Sequence, residues 1–316
     1  MMWLIWRQHR TQAAVALAAL GALVIVLAIT GVNMATTYHI ALRTCGGTGT
    51  CGSIGDGLFN GDGAILDLVG LTVVVPLLLG LFWGAPLLAR EFEDGTHTLV
   101  WTQSVTRRRW LGTKTVALVT ASTVVAAVVA VAVTWWSRTI DLSQHNRFDH
   151  FDVQGIVPVA YAIFAVATGL AVGAAIRRTL PALGATLLIV VGIRLAIANY
   201  LRPHLLAALT KSVALTASDP GLSGSYWTLH SHIVDSAGNA VANDGLLSAL
   251  PPDCRQYIGT TRDQIFSCLT THGWREQIVY QPANRFWTFQ GIESGLYMVV
   301  ACGLVAAAFS LIRRDA

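Results

Sequence analysis

Charged side chains are concentrated between residues 90 and 114, where two glutamates and a run of arginines flank an apolar stretch. Glu91 and Glu93 lie before a glycine, and Arg107 to Arg109 follow soon after it. Carboxylates and guanidinium groups in so short a segment, with apolar side chains between them, suit docking onto a charged partner protein rather than covalent chemistry. The alternative is a loop that its arginines hold against lipid headgroups, because basic residues near a membrane are attracted to anionic lipids.

Sequence patterns of the common catalytic sites are missing from the chain. It contains no G-x-x-x-x-G-K-[ST] phosphate loop, no H-E-x-x-H zinc helix and no G-x-S-x-G nucleophile turn. We therefore predict no catalytic residue, no metal site and no cofactor bound by this chain. Two groups of possible metal ligands are interpreted as solvated loop residues instead: His145, Asp149, His150 and Asp152, and His230 with His232.

The composition indicates a membrane protein. Of the 316 residues, 54% are hydrophobic and 12% are charged, whereas a soluble globular domain has roughly a quarter charged residues. A helix of about 20 apolar residues crosses the ~30 Å hydrocarbon core of a bilayer. Six stretches reach that length: Ala13 to Val32, Ala64 to Leu88, Thr115 to Trp136, Ile156 to Ile176, Leu180 to Tyr200 and Gly291 to Ile312. β-Barrel strands would be about half as long and would alternate in polarity, so helices are predicted.

The distribution of arginine and lysine predicts the side on which each loop lies, because short cytoplasmic loops carry an excess of both. One side collects Arg7, Arg10, Arg90, Arg107, Arg108, Arg109, Lys114, Arg177, Arg178, Arg313 and Arg314. The short loops of the other side hold Arg43, Arg138 and Arg147. We therefore expect a multi-pass protein of the bacterial inner (plasma) membrane, with both termini and residues 90–114 in the cytoplasm and residues 201–290 outside.

The cysteines agree with this topology. Cys45, Cys51, Cys254 and Cys268 all fall in segments predicted to lie outside the cell, where disulfides persist. The simplest pairing joins Cys45 to Cys51 and Cys254 to Cys268. Cross-pairing between the two loops, or free thiols, would also fit the sequence. Cys302 lies within the sixth span.

Three charged residues lie inside predicted spans: Asp67, Arg194 and Glu293. A charge within a span costs about 2.5 to 3.5 kcal/mol on insertion scales and usually faces protein or water. The predicted orientation puts all three toward the outer leaflet. Because arginine cannot shed its proton, we expect Arg194 to pair with Glu293 or Asp67 and to help hold an external gate shut. The alternative is that each side chain reaches the outer headgroups by itself.

Small residues and prolines mark the second and fourth spans. Gly80 and Gly84 are spaced four residues apart in the second span, as are Gly169 and Gly173 in the fourth. This spacing permits close contact between helices, and packing within one subunit is favoured over a dimer interface. Pro76 and Pro86 are expected to bend the second span.

The segment between the second and third spans resembles the corresponding loop of type-2 ABC exporter permeases. The resemblance lies in an acidic-x-acidic-x-Gly-Thr pattern followed by Ser-x-x-Arg and a later lysine. Here it consists of Glu91, Glu93, Gly95, Thr96, Ser104, Arg107, Trp110 and Lys114. In that family the loop contains the coupling helix that contacts the ATPase subunit. The resemblance therefore implies that these residues couple the chain to an ATPase.

Two further segments resemble this family. Residues 3–10, rich in tryptophan and arginine, are similar to the interfacial connecting helix that precedes the first span. Residues 282–290, followed by Glu293, resemble the entry to the last span in actinobacterial members. The segment 201–290 departs from the family pattern, because a short re-entrant hairpin is expected there.

The resemblance implies an all-α membrane protein with six transmembrane helices, an interfacial helix at 1–12 and a coupling helix between spans 2 and 3. The expected domains are 1–12, 13–200 with the coupling loop 90–114, an extracellular domain at 201–290, and 291–316 with the last span and cytoplasmic tail. The implied function is the permease subunit of an ABC exporter, acting as a dimer in the lipid bilayer. A separate ATPase subunit would hold ATP and Mg, and nucleic acid is not an expected partner. The alternative is a membrane-anchored sensor or assembly protein whose disulfide-stapled outer domain binds a ligand or partner.

Overall fold

The computed structural model describes residues 2–44, 63–95, 106–144, 147–215, 226–241, 249–259 and 261–314. The chain divides into two compact units. The first unit comprises Met1–Gln144, His150–Asn199 and Thr288–Ala316, and the second comprises His145–Asp149 and Tyr200–Trp287. The predictions for Cys45, Cys51, Thr96 and His145 lie outside the described residues, so the first of the two expected disulfides stays a prediction.

Within the described part of the chain, six helical segments are long and apolar enough to cross a membrane, which confirms the predicted number. We refer to them as spans 1 to 6: Ala14–Thr44, Ile65–Glu93, Arg109–Leu142, Val157–Ile176, Thr179–His204 and Ala283–Arg313. Span 1 is part of an uninterrupted helix that begins at Met2 and ends at Thr44. No break therefore separates residues 2–12 from span 1, and their place at the membrane interface stays a prediction.

The α-helices have the following bounds: Met2–Thr44, Gly63–Leu71, Val75–Leu79, Ala85–Glu93, Arg107–Gln144, Val157–Ile176, Thr179–Ala196, Arg262–Thr271 and Phe286–Arg314. Three of them belong to span 2, because that span is interrupted next to both of its prolines. A 3-10 turn at Thr72–Val74 precedes Pro76, and a π-helical turn at Gly80–Gly84 precedes Pro86. Proline lacks the N–H that a continuous α-helix needs, so the hydrogen-bond pattern changes at these points.

Span 4 lies at the centre of the first unit, with 78% of its apolar window buried. Its close neighbour is span 2, and glycines of both helices meet there. A β-carbon placed on Gly169 would lie 2.6 Å from the amide nitrogen of Ala85 and 2.6 Å from the carbonyl oxygen of Gly80. A β-carbon on Gly173 would lie 2.6 Å from the carbonyl oxygen of Ala85. The predicted close contact within one subunit is therefore confirmed.

Span 1 packs against span 3 within the first unit. The indole N–H of Trp136 donates to the hydroxyl of Thr30 at 3.0 Å. Leu27 and Met34 of span 1 are buried in the same cluster as Val133 of span 3. Tryptophan suits this position because its large ring fills the gap between the helices while its N–H finds a partner.

The second unit holds a four-stranded antiparallel sheet in the order β1-β4-β2-β3 among its described residues. The strands are Leu209–Ala214 (β1), Tyr226–Val234 (β2), Ala240–Val241 (β3) and Arg275–Pro282 (β4). Cys254 and Cys268 form a disulfide, which confirms that predicted pair. Cys254, Leu269 and Trp274 lie in a small buried core of this unit. The sequence indicated an outer domain here but did not predict the sheet.

Replacing Gly169 by alanine is expected to destabilise the protein, because the added methyl group meets backbone atoms that cannot rotate away. Overpacking of this kind costs about 1 to 3 kcal/mol, so the thermal midpoint of the purified protein should fall by several degrees. Gly184→Ala is the matched control, since a β-carbon there has no neighbour within 4 Å. Equal midpoints for the two variants would contradict the close packing of spans 2 and 4.

Candidate functional site

Two groups of polar side chains lie near opposite ends of the α-helix Thr179–Ala196 of span 5, both within the first unit. We call Glu91, Glu93, Lys114 and Thr179 the carboxylate clamp. We call Asp152, Tyr161, Arg194, Gln290 and Glu293 the polar network. Arg194 follows Thr179 by 15 residues on one continuous helix, which corresponds to about 22 Å along the helix axis.

Glu91 connects span 2 to span 3. Its carboxylate forms an ion pair with the ammonium group of Lys114, and the two side chains are only 19% and 13% exposed. The Lys114 ammonium group also lies 4.6 Å from the centre of the Trp110 ring. An ion pair shielded from solvent in this way is screened less by salt than a surface pair. This ion pair therefore joins the end of span 2 to the start of span 3, on either side of the loop between them.

Glu93 connects span 2 to span 5. Its Oε2 atom accepts hydrogen bonds from the backbone N–H of Thr179 at 2.9 Å and from the Thr179 hydroxyl at 2.7 Å. Thr179 is the first residue of the span 5 helix, and the preceding Arg178 makes no capping bond with its own side chain. The first N–H groups of a helix need acceptors and favour a negative charge nearby. The Glu93 carboxylate, which belongs to a different helix, supplies both the acceptor oxygen and the negative charge.

Gly95 ends the helix that carries both glutamates. Its φ angle of +67° is the left-handed conformation in which glycine is favoured after a helix. Its N–H donates to the carbonyl oxygen of Phe92 at 3.3 Å. The glycine of the acidic-x-acidic-x-Gly pattern thus fixes the point at which the chain leaves span 2, one turn after Glu91.

Arg177 closes the other loop at this end, between spans 4 and 5. It adopts φ +57°, an uncommon conformation for a residue with a side chain, and its guanidinium group lies 5.2 Å from the centre of the Phe92 ring. Arg90 and Asp94 form a further ion pair at 3.5 Å, but both side chains are largely exposed. Such a surface pair contributes about 0 to 1 kcal/mol.

Of the residues predicted to couple to an ATPase, the structure brings Glu91, Glu93 and Lys114 together at this end of the unit. Thr96 lies outside the described residues, and Arg107 is described only as the first residue of its helix. Sequence reasoning missed Thr179. The available signal was its position directly after two arginines at the start of an apolar span, where a threonine commonly begins a helix.

Arg194 meets three groups in the polar network. Its Nη2 atom lies 3.9 Å from the Oδ1 atom of Asp152, and its Nη1 atom donates to the carbonyl oxygen of Val73 at 3.0 Å. The guanidinium group also lies 4.1 Å from the centre of the Tyr161 ring. Val73 belongs to the 3-10 turn of span 2, so the interruption of that span leaves a carbonyl oxygen available to the arginine.

Tyr161 connects Arg194 to span 6. Its hydroxyl oxygen lies 2.8 Å from the Oδ1 atom of Asp152 and 2.6 Å from the Oε1 atom of Glu293. Tyr161 is 1% exposed and Glu293 is fully buried. The tyrosine ring packs edge-on against Tyr297 with 4.8 Å between ring centres. Tyr161 of span 4 thus contacts three other elements, namely the segment before span 4, span 5 and span 6.

Gln290 of span 6 forms hydrogen bonds with backbone groups at the start of span 4. Its Oε1 atom accepts hydrogen bonds from the N–H groups of Ile156 at 3.0 Å and Val157 at 2.9 Å. Its amide nitrogen donates to the carbonyl oxygens of Phe151 at 3.0 Å and Gln154 at 3.2 Å. A buried backbone group without a partner costs free energy, so this one side chain satisfies four groups that the turn before span 4 leaves open.

The expected direct pairing of Arg194 with Glu293 or Asp67 is wrong in the structure. The carboxylate beside Arg194 belongs to Asp152, whereas Glu293 is reached through the Tyr161 hydroxyl and Asp67 is exposed. The interpretation of Asp152 as a solvated loop residue is corrected by the same contacts. Its neighbours Phe151 and Val153 are buried and hold the segment before span 4 against the helices. These two apolar residues were the available sequence signal.

The polar network can bind charges and fix helix positions, but its contacts show no nucleophile activated by a base. A possible cluster of metal ligands among the described residues consists of Cys254, Cys268 and His272, in the second unit. Both cysteines of that cluster are joined in a disulfide. Metal binding requires thiolates, so this cluster is not a metal site in the oxidised protein.

A family model described as ABC-2 membrane transporter related matches residues 17–202. The match includes spans 2 to 4 and nearly all of spans 1 and 5, and with them the whole carboxylate clamp. It also includes Asp152, Tyr161 and Arg194, whereas Gln290 and Glu293 follow it. No curated protein and no solved structure matches the chain.

The contact between Arg194 and Asp152 predicts a non-additive effect on stability. Arg194→Met and Asp152→Asn should each lower the thermal midpoint, and the double variant should lose less than the sum because each single change removes the opposite charge that faces the remaining one. The interaction energy should be about 1 kcal/mol, within the range for residues in contact. Arg194→Met combined with Asp67→Asn is the control and should be additive. Additivity in both cycles would contradict the assigned pair.

Proposed function

Because the chain belongs to the ABC-2 membrane transporter related family, we propose that it is the permease subunit of an ATP-driven exporter. A separate subunit supplies ATP hydrolysis, so ATP and Mg are cofactors of that partner and not of this chain. The observation that carries the proposal is the carboxylate clamp. At one end of the first unit, Glu91 and Glu93 join the helix that leads into the 90–114 segment to spans 3 and 5.

The ATPase subunit docks on the 90–114 segment. Arg90 and Asp94 are largely exposed at the start of this segment, and Arg109 is exposed near its end. These side chains are available to a charged partner, whereas Glu91 and Glu93 contact other helices of the chain. The glutamates are therefore not part of the docking surface. They transmit movement of the segment to spans 3 and 5.

The polar network serves as the gate at the opposite end. Glu293 is fully buried and Arg194 is largely shielded from solvent, so separating these charged groups from their partners costs free energy. The closed state of the gate therefore has a defined geometry. In the proposed orientation, which the positive-inside distribution of arginine and lysine supports, the clamp lies in the cytoplasm of a bacterial cell and the network lies toward its exterior. Two copies of the chain form the pathway. The cargo is an amphipathic compound, because the spans offer few fixed charges.

A sensor or assembly role is the second candidate, and one observation favours it. Residues 200–287 lie in a compact unit with its own sheet, buried core and disulfide. A short hairpin between two spans would not need such a unit. The family model ends at residue 202, so the match includes only the first three residues of this range.

Co-purification tests the permease proposal. The tagged chain, extracted from its native membrane under mild conditions, should retain an ABC ATPase subunit and its ATP hydrolysis. Glu91→Ala with Glu93→Ala should reduce the retained ATPase or the hydrolysis per complex, because the docking segment loses its connections to spans 3 and 5. The exposed Asp263→Ala change in the second unit is the control and should have no effect. Purification of the folded chain without any ATPase would contradict the proposal.

Labelling of single cysteines tests the proposed orientation. Thr106 and Ser236 are both exposed, and the Cys254–Cys268 disulfide can stay because it does not react with maleimides. With the other three native cysteines replaced, a Ser236→Cys variant should react with a membrane-impermeant maleimide in intact cells. A Thr106→Cys variant should react only after the cells are permeabilised. Reaction of the Thr106→Cys variant in intact cells would overturn the topology.

A further inference from the structure

The helix of span 5 carries residues of both the carboxylate clamp and the polar network without an interruption. It begins at Thr179, which belongs to the clamp, and ends at Ala196, two residues after Arg194 of the network. Span 2 also reaches from one group to the other, since it carries Glu93 and Val73, but a 3-10 turn and a π-helical turn interrupt it. A mid-helix 3-10 stretch often marks a hinge, whereas the α-helix of span 5 has no such interruption between Thr179 and Ala196.

From this arrangement we infer that span 5 transmits movement from the carboxylate clamp to the polar network. Thr179 and Arg194 are its two positioning residues, one at each end. The inference rests on the proposed function for the source of the movement, namely an ATPase acting on the 90–114 segment. The mechanical connection itself is a property of this chain.

The clamp end of span 5 is attached by two kinds of contact. Glu93 accepts both the N–H and the hydroxyl of Thr179, which fixes the first residue of the helix in direction and distance. One turn later, fully buried Ala182 packs against fully buried Ala85 and Ala89 of span 2. Small side chains let the two backbones approach closely. A displacement of the end of span 2 therefore displaces the start of span 5.

The buried residues of the span 5 helix form one row along its length. Ala182, Thr186 and Val190 are buried, and they are spaced four residues apart. Arg194 continues the row at the same spacing, so each of these residues lies about one turn beyond the preceding one, and the row winds gradually around the helix. The opposite face is exposed, with Leu180 at 80% and Leu188 at 75%. Span 5 is thus held by a narrow row of contacts that leads from the clamp directly to Arg194.

At the network end, a shift of span 5 changes the position of Arg194 relative to groups on three other elements. These are the Asp152 carboxylate before span 4, the Tyr161 ring of span 4 and the Val73 carbonyl of span 2. Hydrogen bonds and ion pairs weaken steeply over fractions of an ångström to a few ångströms. A small axial movement at Thr179 is therefore sufficient to loosen the network.

The test measures an effect at one end of span 5 of a change made at the other. Asn199 is exposed just beyond the network end, and an Asn199→Cys variant reports its accessibility through the rate of reaction with a polar maleimide. The purified chain is studied alone in lipid nanodiscs, with its other reactive cysteines replaced. Thr179→Val, which removes the hydroxyl at nearly constant volume, and Glu93→Gln should each change this rate by about three- to tenfold.

Three controls separate transmission from a general loss of structure. Thr179→Ser keeps the hydroxyl and should restore the original rate, and Asp94→Asn removes a neighbouring carboxylate that does not contact span 5. Leu187→Gly with Leu188→Gly softens the exposed middle of the helix and should abolish the effect of Glu93→Gln. An unchanged rate in both the Thr179→Val and Glu93→Gln variants would overturn the inference, as would an equal change with Asp94→Asn.

This experiment contains no ATPase, so its outcome is independent of the co-purification test. A changed rate in the chain alone, with no ATPase recovered from native membranes, would leave the span 5 connection standing and remove the proposed function. Recovery of the ATPase together with an unchanged rate would retain the permease and assign the transmission to another span.

Discussion

The close backbone contact between spans 2 and 4 determines where the other elements can lie. The glycines of both helices leave no space for side chains at this contact, and a methyl group on Gly169 would meet Gly80 and Ala85. The two helices therefore have one relative position along the contact. Span 4 is largely buried as a result, and Tyr161 near its first residues is brought among the elements that carry Asp152, Arg194 and Glu293.

The polar groups of the first unit are concentrated at the ends of its helices, where each carries out a task that the apolar spans cannot. Glu93 accepts a hydrogen bond from the backbone N–H at the start of span 5, and Gln290 bonds to backbone groups of the turn before span 4. Arg194 donates to a backbone carbonyl within the 3-10 interruption of span 2. In a membrane, an unsatisfied backbone group costs several kcal/mol. The same contacts that meet this requirement also join helices distant in the chain, so structural need and mechanical connection coincide.

Features that depend on composition and local spacing could be predicted from the sequence. The six spans follow from apolar length, the contact of spans 2 and 4 from paired glycines, and the Cys254–Cys268 disulfide from segment position. The partners of the polar groups could not be predicted, because they depend on which helix ends meet. Glu93 and Thr179 are 86 residues apart, and Tyr161 and Glu293 are 132 residues apart. The prediction of a solvated Asp152 was wrong because a carboxylate between two helices is usually solvated, whereas here the adjacent Phe151 and Val153 are buried and hold the segment against the helices.

The four hydrogen bonds of Gln290 have a consequence for sequence variation among related chains. The backbone groups that this side chain satisfies lie between residues 151 and 157, inside the range that the family model matches, whereas Gln290 lies far beyond its end at residue 202. A backbone cannot adapt by substitution, because every residue type presents a C=O group and every type except proline presents an N–H group. Relatives that diverge after residue 202 must therefore retain an amide side chain at this place in span 6 or provide a donor and an acceptor from another segment.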